Sequence, residues 1–140
     1  MPSLTTKNQE ETFDAGRLFA SKLKGGEVLA LYGDLGAGKT SFSAGIINYF
    51  IAGRVLSPTF IIVRHYYPKK KIINQILHAD LYRLNNHKEI EDLGLKEYFN
   101  KPQVLVIIEW AEKMKSHLPG KRINIYFGYK SSSDREILIK

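Results

Sequence analysis

With 140 residues, 44% of them hydrophobic and 25% charged, the chain has the composition of one folded domain rather than a disordered segment. No cysteine is present, which excludes disulfides and zinc–thiolate sites, and no apolar run approaches the roughly 20 residues that cross a bilayer. The net charge of +7 favours anionic partners, whether nucleotide, nucleic acid or acidic protein.

The first eleven residues, MPSLTTKNQEE, lack the apolar centre of a signal peptide, and a cytoplasmic location is expected. Thr6 and Gln9 have capping-box spacing, and so, less conventionally, have Asn8 and Glu11. A helix is expected to follow. Phe13, Gly16, Phe19, Ala20 and Leu23 fall at helical spacing, and Gly25-Gly26 stops the pattern. Glu27 to Tyr32, EVLALY, is an apolar run of strand length. After a glycine-rich stretch, Phe42, Ile46, Tyr49 and Phe50 mark one face of a second helix.

Pro58 to Tyr67 and Lys71 to Tyr82 are β-branched and aromatic enough to form two strands of a hairpin. The run Lys69-Lys70-Lys71 then sits at a solvated tip. His87 to Phe99 reads as one or two short helices. Gln103 to Trp110, QVLVIIEW, contains the most apolar run of the chain, as suits a central strand buried on both faces. After Leu118-Pro119-Gly120, RINIYF and REILIK alternate like two half-exposed strands. The sum is a single α/β domain over residues 1–140: a mixed parallel and antiparallel sheet flanked by helices, with fewer helices than a doubly wound fold.

GDLGAGKT, Gly33 to Thr40, fits the Walker A pattern. It lies where that pattern needs to lie, with a strand before it and a helix after it. Glycines let successive backbone N–H groups turn inward as an anion nest, and the following helix brings its positive end to the same point. Lys39 adds a mobile charge for the β- and γ-phosphates of a nucleotide, and the Thr40 hydroxyl can ligate Mg2+. A P-loop nucleotide-binding protein is therefore expected, the alternative being a purely structural glycine turn.

A P-loop also needs a carboxylate at the end of a neighbouring strand. Glu109 follows five apolar residues in a row. An unpaired carboxylate at that point of a buried strand is costly, so a nearby cation is a better account than an ordinary acidic residue. Asp80, in HADLYR, is a second acid. It reads either as a group orienting the attacking water or a Mg2+-bound water, or as an ion-pair partner of Arg83 or a helix cap. Thr59, after Pro58, reads either as a switch-type contact to the γ-phosphate or as part of an ordinary turn. The four histidines are scattered with no HxxxH pair, so no transition-metal site is expected. His78 shares a strand face with Asp80 and is more often a packing or supporting residue than a catalyst.

The nearest match to the NKxD motif of Ras-type GTPases, Asn100-Lys101-Pro102-Gln103, ends in glutamine, and no DxxG follows the loop. Guanine specificity is therefore not expected. A small-molecule kinase needs an acceptor pocket and arginines on a lid, whereas Arg83, Arg122 and Arg135 are dispersed. ATP hydrolysis acting on a partner fits better. The competing readings are a nucleotide-gated adaptor whose hydrolysis is incidental, and a kinase.

LYGDLGAGKTSF, SPTF, HADLYRL, IEW and REILI occur in the order and spacing of the TsaE family, which the chain resembles from about Leu4 to Ile139. The family is the bacterial ATPase component of the machinery that makes threonylcarbamoyladenosine at position 37 of tRNA. The resemblance implies that Leu35, Gly36, Ala37, Gly38, Lys39 and Thr40 bind the phosphates of ATP, that Thr40 and Glu109 hold Mg2+, and that Asp80 is needed for hydrolysis. It also implies that Thr59 lies beside the γ-phosphate, that Trp110 lies near the nucleotide, and that Gln9, Glu112 and Arg135 contribute to the nucleotide site. The implied partners are TsaB and TsaD, with tRNA contacted indirectly or weakly. Ala111 follows Trp110 where the family often has proline.

Overall fold

The computed structural model describes residues 2–52, 62–70 and 72–140. The expected strand start at Pro58, the Thr59 assignment and Lys71 of the lysine run therefore lie outside the described residues. The elements run β1 (Ser3–Thr6), α1 (Gln9–Ala20), β2 (Val28–Tyr32), α2 (Lys39–Phe50), β3 (Val63–Tyr66), β4 (Gln75–Asp80), α3 (His87–Asp92), β5 (Val104–Glu109), β6 (Ile123–Tyr129) and β7 (Arg135–Ile139). Short 3-10 turns at Leu95–Tyr98, Ala111–Lys113 and Lys115–His117 complete them. Among the described residues no helix is long and apolar enough to cross a membrane.

The seven strands form one sheet in the order β1-β7-β6-β2-β5-β4-β3. The four central strands, β6, β2, β5 and β4, are parallel, and antiparallel pairs finish both sides. This is the mixed α/β sheet expected from the sequence. β5 is buried along its whole length, as a strand covered on both faces must be. One face packs α1 and α2 over Leu29, Leu31, Ile76, Leu105 and Ile107. The other lays α3 and the 3-10 turns over Val28, Ala30, Val106 and Ile108. The alternation along β2 and β5 sends odd and even residues to different cores.

Helix α1 is capped by Asn8 and not by Thr6. Asn8 accepts a 2.8 Å bond from the Glu11 backbone N–H, while Glu11 accepts one of 2.9 Å from the N–H of Lys7. Thr6 ends β1 and is buried. Its hydroxyl bonds that of Thr12 at 2.7 Å, and Thr12 in turn donates to the Asn8 carbonyl. The helix also stops earlier than Gly25-Gly26, because the N–H groups of Ser21, Lys22 and Leu23 each bond a carbonyl three residues back and tighten the last turn. In α2, Phe42, Ile46, Ile47 and Phe50 are buried, whereas Tyr49, expected on that face, is 38% exposed with its ring edge-on to Phe50. The N-terminal strand β1 was not legible in the sequence. Its four residues are mostly exposed and are held by backbone pairing to β7. Lys69 and Lys70 are exposed between β3 and β4, as a solvated connection should be.

Helices α1 and α2 cross at unusually short range, through glycine on both sides. A β-carbon on Gly16 would lie 2.2 Å from the Phe42 carbonyl oxygen, and one on Gly45 would lie 2.0 Å from that of Phe13. No side chain can yield there, because the obstacle is backbone. Gly45→Ala should therefore lose about 2–3 kcal/mol in urea unfolding despite alanine's better helix propensity. Gly128→Ala, at a position with open space above it, should change stability by less than about 1 kcal/mol.

Candidate functional site

The register of the central strands sets the site. Leu31 of β2 and Asp80 of β4 both stand opposite Glu109 of β5. The carboxyl ends of three parallel strands thus finish together, where open α/β sheets gather their ligands. The chain leaves β2 through the glycine loop and enters α2 at this level. A cleft of about 290 Å3 opens there, lined among others by Gln9, Leu35, Gly36, Gly38, Lys39, Thr40, Asp80, Glu109, Trp110 and Arg135.

The loop needs glycine for two distinct reasons. Gly38 is the residue before α2 and has φ 114°, a left-handed conformation. Gly33 has φ 144°, and a β-carbon there would meet the Phe127 carbonyl oxygen at 2.5 Å. Gly38 offers no side chain to cap α2, and the first turn of α2 holds no acidic residue. The N–H groups of that turn, which a helix leaves without internal partners, therefore carry an uncompensated positive end at the cleft.

Lys39 is only 4% exposed. Its Nζ donates to the carbonyls of Gly33 and, at 2.9 Å, Asp34. It lies 4.2 Å above the ring centre of Trp110, a cation–π distance. Burial pushes its pKa down, and the charges of Glu109, Glu112, Asp80 and Asp34 oppose that shift. Trp110 itself holds φ 61°, a conformation a bulky residue adopts only where its surroundings compel it. Its ring packs against Tyr82 at 5.0 Å between centres.

Thr40 Oγ1 donates to Glu109 Oε1 at 2.9 Å. Glu109 is 1% exposed, and its other oxygen, Oε2, lies 2.5 Å from Nε2 of the equally buried His78. Adjacent oxygens in a Mg2+ octahedron lie about 2.9 Å apart, given metal–oxygen distances of about 2.0–2.1 Å. The Thr40–Glu109 pair thus has the donor type and the spacing that a hard cation takes. Among the described residues no three or more His, Asp or Glu side chains come together to hold a metal, so a cation here would take further oxygens from phosphate and water. Asp80 is half-buried at the end of β4. Its Oδ1 accepts a 3.0 Å bond from the Tyr82 N–H. Burial raises its pKa, with the Glu109 charge acting the same way and the Tyr82 bond opposing.

The remaining sequence candidates divide. Gln9 and Arg135 line the cleft. Arg135 stacks on Tyr129 at 4.1 Å and donates from Nε to the Gly36 carbonyl at 3.3 Å, while the Tyr129 hydroxyl donates to the Leu35 carbonyl at 3.0 Å. Ala37 is buried and Glu112 is exposed, and neither lines the cleft. Sequence reasoning passed over Tyr82, Tyr129 and Asn8. The cap spacing at Asn8 was the one available signal, because Tyr82 reaches the cleft and Tyr129 reaches the glycine loop only through tertiary packing.

The raised pKa of Asp80 fixes the sign of a pH effect. In the folded state it binds its proton at higher pH than in the unfolded chain, so its charge costs stability above that range. In nucleotide- and magnesium-free buffer, Asp80→Asn should raise the melting temperature at pH 7. The advantage should shrink on acidification and be gone below about pH 3.9, the unfolded aspartate value. Thermal melts across pH check this, and an advantage that grows toward acid would contradict it.

A profile of the family described as threonylcarbamoyl adenosine biosynthesis protein TsaE matches residues 6–137. A curated relative in Bacillus subtilis, a tRNA threonylcarbamoyladenosine biosynthesis protein TsaE, is 40% identical over 133 residues, 94% of this chain and 80% of its own. One from Rickettsia typhi is 36% identical over 97% of this chain and 92% of its own. The crystal structure of Bacillus subtilis YdiB superposes with a TM-score of 0.76 at 32% identity, covering 97% of this chain and 82% of that one. Sequence and fold agree along nearly the whole length: the chain belongs to the TsaE family, of tRNA threonylcarbamoyladenosine biosynthesis.

Proposed function

We propose that this chain is a Mg2+-dependent ATPase that works in the cytoplasm with TsaB and TsaD proteins to support threonylcarbamoyladenosine formation at position 37 of tRNA. One observation carries the reading: the glycine loop delivers Lys39 and Thr40 into a cleft where Glu109 and Asp80 end adjacent parallel strands. The loop from Leu35 to Thr40 would hold the phosphates, with Gln9 and Arg135 contributing to the nucleotide site around them; Glu112 lies outside the cleft.

Each side chain has a role that its surroundings support. The first turn of α2 presents N–H groups and a positive end to the phosphates. Lys39 would exchange the Gly33 and Asp34 carbonyls for phosphate oxygens, which moves its charge from neutral acceptors to anionic ones and strengthens each bond. Thr40 and Glu109 would hold Mg2+, which when bound neutralises charge on the β- and γ-phosphates. Asp80 stands one strand away from Glu109. Its raised proton affinity suits it to orient the attacking water and accept a hydrogen bond from it. Thr59 would contact the γ-phosphate. Hydrolysis would then alter the segments carrying Thr59 and Asp80, and the ATP-bound arrangement would be the one that docks. Such coupling is worth typically about 1–3 kcal/mol.

Calorimetric titration of ATP and ADP, with and without Mg2+, tests the site. Lys39→Ala should weaken ATP binding about 10- to 100-fold, the worth of hydrogen bonds to a charged group. Equal binding by both proteins would refute the reading. Because Lys39 rests on the chain's one tryptophan, ATP should also change Trp110 fluorescence in the wild type. Asp80→Ala should still bind ATP but hydrolyse it at least about 100-fold more slowly. If tRNA modification by the assembled proteins nevertheless survives in that variant, the chain is a nucleotide-gated adaptor and not a working ATPase. Affinity for the TsaB–TsaD pair should be about 5- to 150-fold higher with ATP than with ADP.

A further inference from the structure

We propose that His78 is a positioning residue for Glu109: it secures one carboxylate oxygen so that the other is presented beside Thr40, where the proposed function puts Mg2+. The inference rests on that reading of the cleft and adds to it a residue from the middle of β4.

The geometry divides the two oxygens of Glu109 between two partners. Oε2 lies 2.5 Å from His78 Nε2, and Oε1 lies 2.9 Å from Thr40 Oγ1. His78 stands opposite Ile107 and Asp80 opposite Glu109. The imidazole therefore approaches from one strand over and two residues back, against the underside of the carboxylate. Glutamate has one more rotatable bond than the aspartate more usual at such a position, so its end is less fixed by the strand that carries it. A second anchor on a rigid neighbouring strand removes that freedom before any ligand arrives.

The ring has little else to do. His78 is 1% exposed, and its Nδ1 has no hydrogen-bond partner among the described residues. The carboxylate is an acceptor, so Nε2 carries the proton and donates it. Leaving a buried ring nitrogen unpaired costs free energy that an apolar side chain of similar size would avoid. Packing alone would thus favour leucine or phenylalanine at this position. The polar contact with Glu109 is what an imidazole provides and an apolar group does not.

Two variants separate the donor from the shape. His78→Leu removes the N–H and keeps an apolar filling. His78→Gln places an amide N–H near the position of Nε2. ATP is titrated calorimetrically into each variant and into the wild type, with and without Mg2+, and near-ultraviolet circular dichroism verifies the fold. Metal-free ATP affinity should agree within about twofold across all three proteins. The factor by which Mg2+ improves that affinity should fall about tenfold in His78→Leu and recover in His78→Gln, the size of one hydrogen bond to a charged group. If His78→Leu does not fold, His78→Phe, which keeps a planar ring, takes its place. The inference is overturned if Mg2+ improves binding as much in the apolar variant as in the wild type. It is also overturned if His78→Gln loses as much as the apolar variant, or if metal-free affinity falls in step. If the wild type itself gains nothing from Mg2+, the proposed function fails and takes this inference with it. That result differs from the others because it appears before any substitution.

Discussion

The carboxylate of Glu109 is the constraint around which the rest is arranged. It ends a strand whose six residues are all buried, and a carboxylate in that place is expensive unless its oxygens are bonded. Both are bonded: one by a hydroxyl from the first turn of α2, the other by an imidazole from β4. Three elements far apart in the chain are thereby tied to one side chain. The same arrangement that makes the buried charge tolerable also fixes where a cation would find oxygen ligands.

The tightness of the α1–α2 crossing serves the same end. Glycines 16 and 45 let each helix rest on the other's backbone, which seats α1 close to the loop that begins α2. Its first turns reach that loop: a β-carbon on Gly38 would lie 3.2 Å from the Thr12 methyl. Asn8 and Gln9 thus enter the wall of the cleft from the far side of the chain. Across from them the Trp110 ring underlies the Lys39 ammonium. Lys39 is held by two carbonyls and an aromatic face, all weaker partners than a phosphate. The loop and the ring together keep the ammonium ordered.

Much of this was legible in one dimension. The continuous apolar run of β5 marked a central strand, and the composition of GDLGAGKT marked a glycine loop between a strand and a helix. The β3–β4 hairpin and the alternating final strands followed from β-branched content and period. What escaped has physical reasons. β1 is held by hydrogen bonds to a strand some 130 residues away, not by its own pattern. Tyr49 lies at the margin of a helix whose buried arc is wide, because α2 is packed between α1 and the sheet. The end of α1 depended on a tightened last turn, which periodicity does not report. Tyr82 and Tyr129 are ordinary surface aromatics in sequence, and only the folded chain sets them beside the loop.

The sequence by itself determined the class of fold, the glycine loop between strand and helix, and the places of Asp80 and Glu109 at strand ends, because each is written in local spacing: three glycines, a lysine and a hydroxyl in eight residues, or a carboxylate at the close of an apolar run. Tertiary structure alone decided which of the scattered polar residues act together. His78 meets Glu109, and Lys39 meets Trp110, only when parallel strands align their carboxyl ends. That alignment is a property of sheet register, set by long-range packing, and no local pattern encodes it.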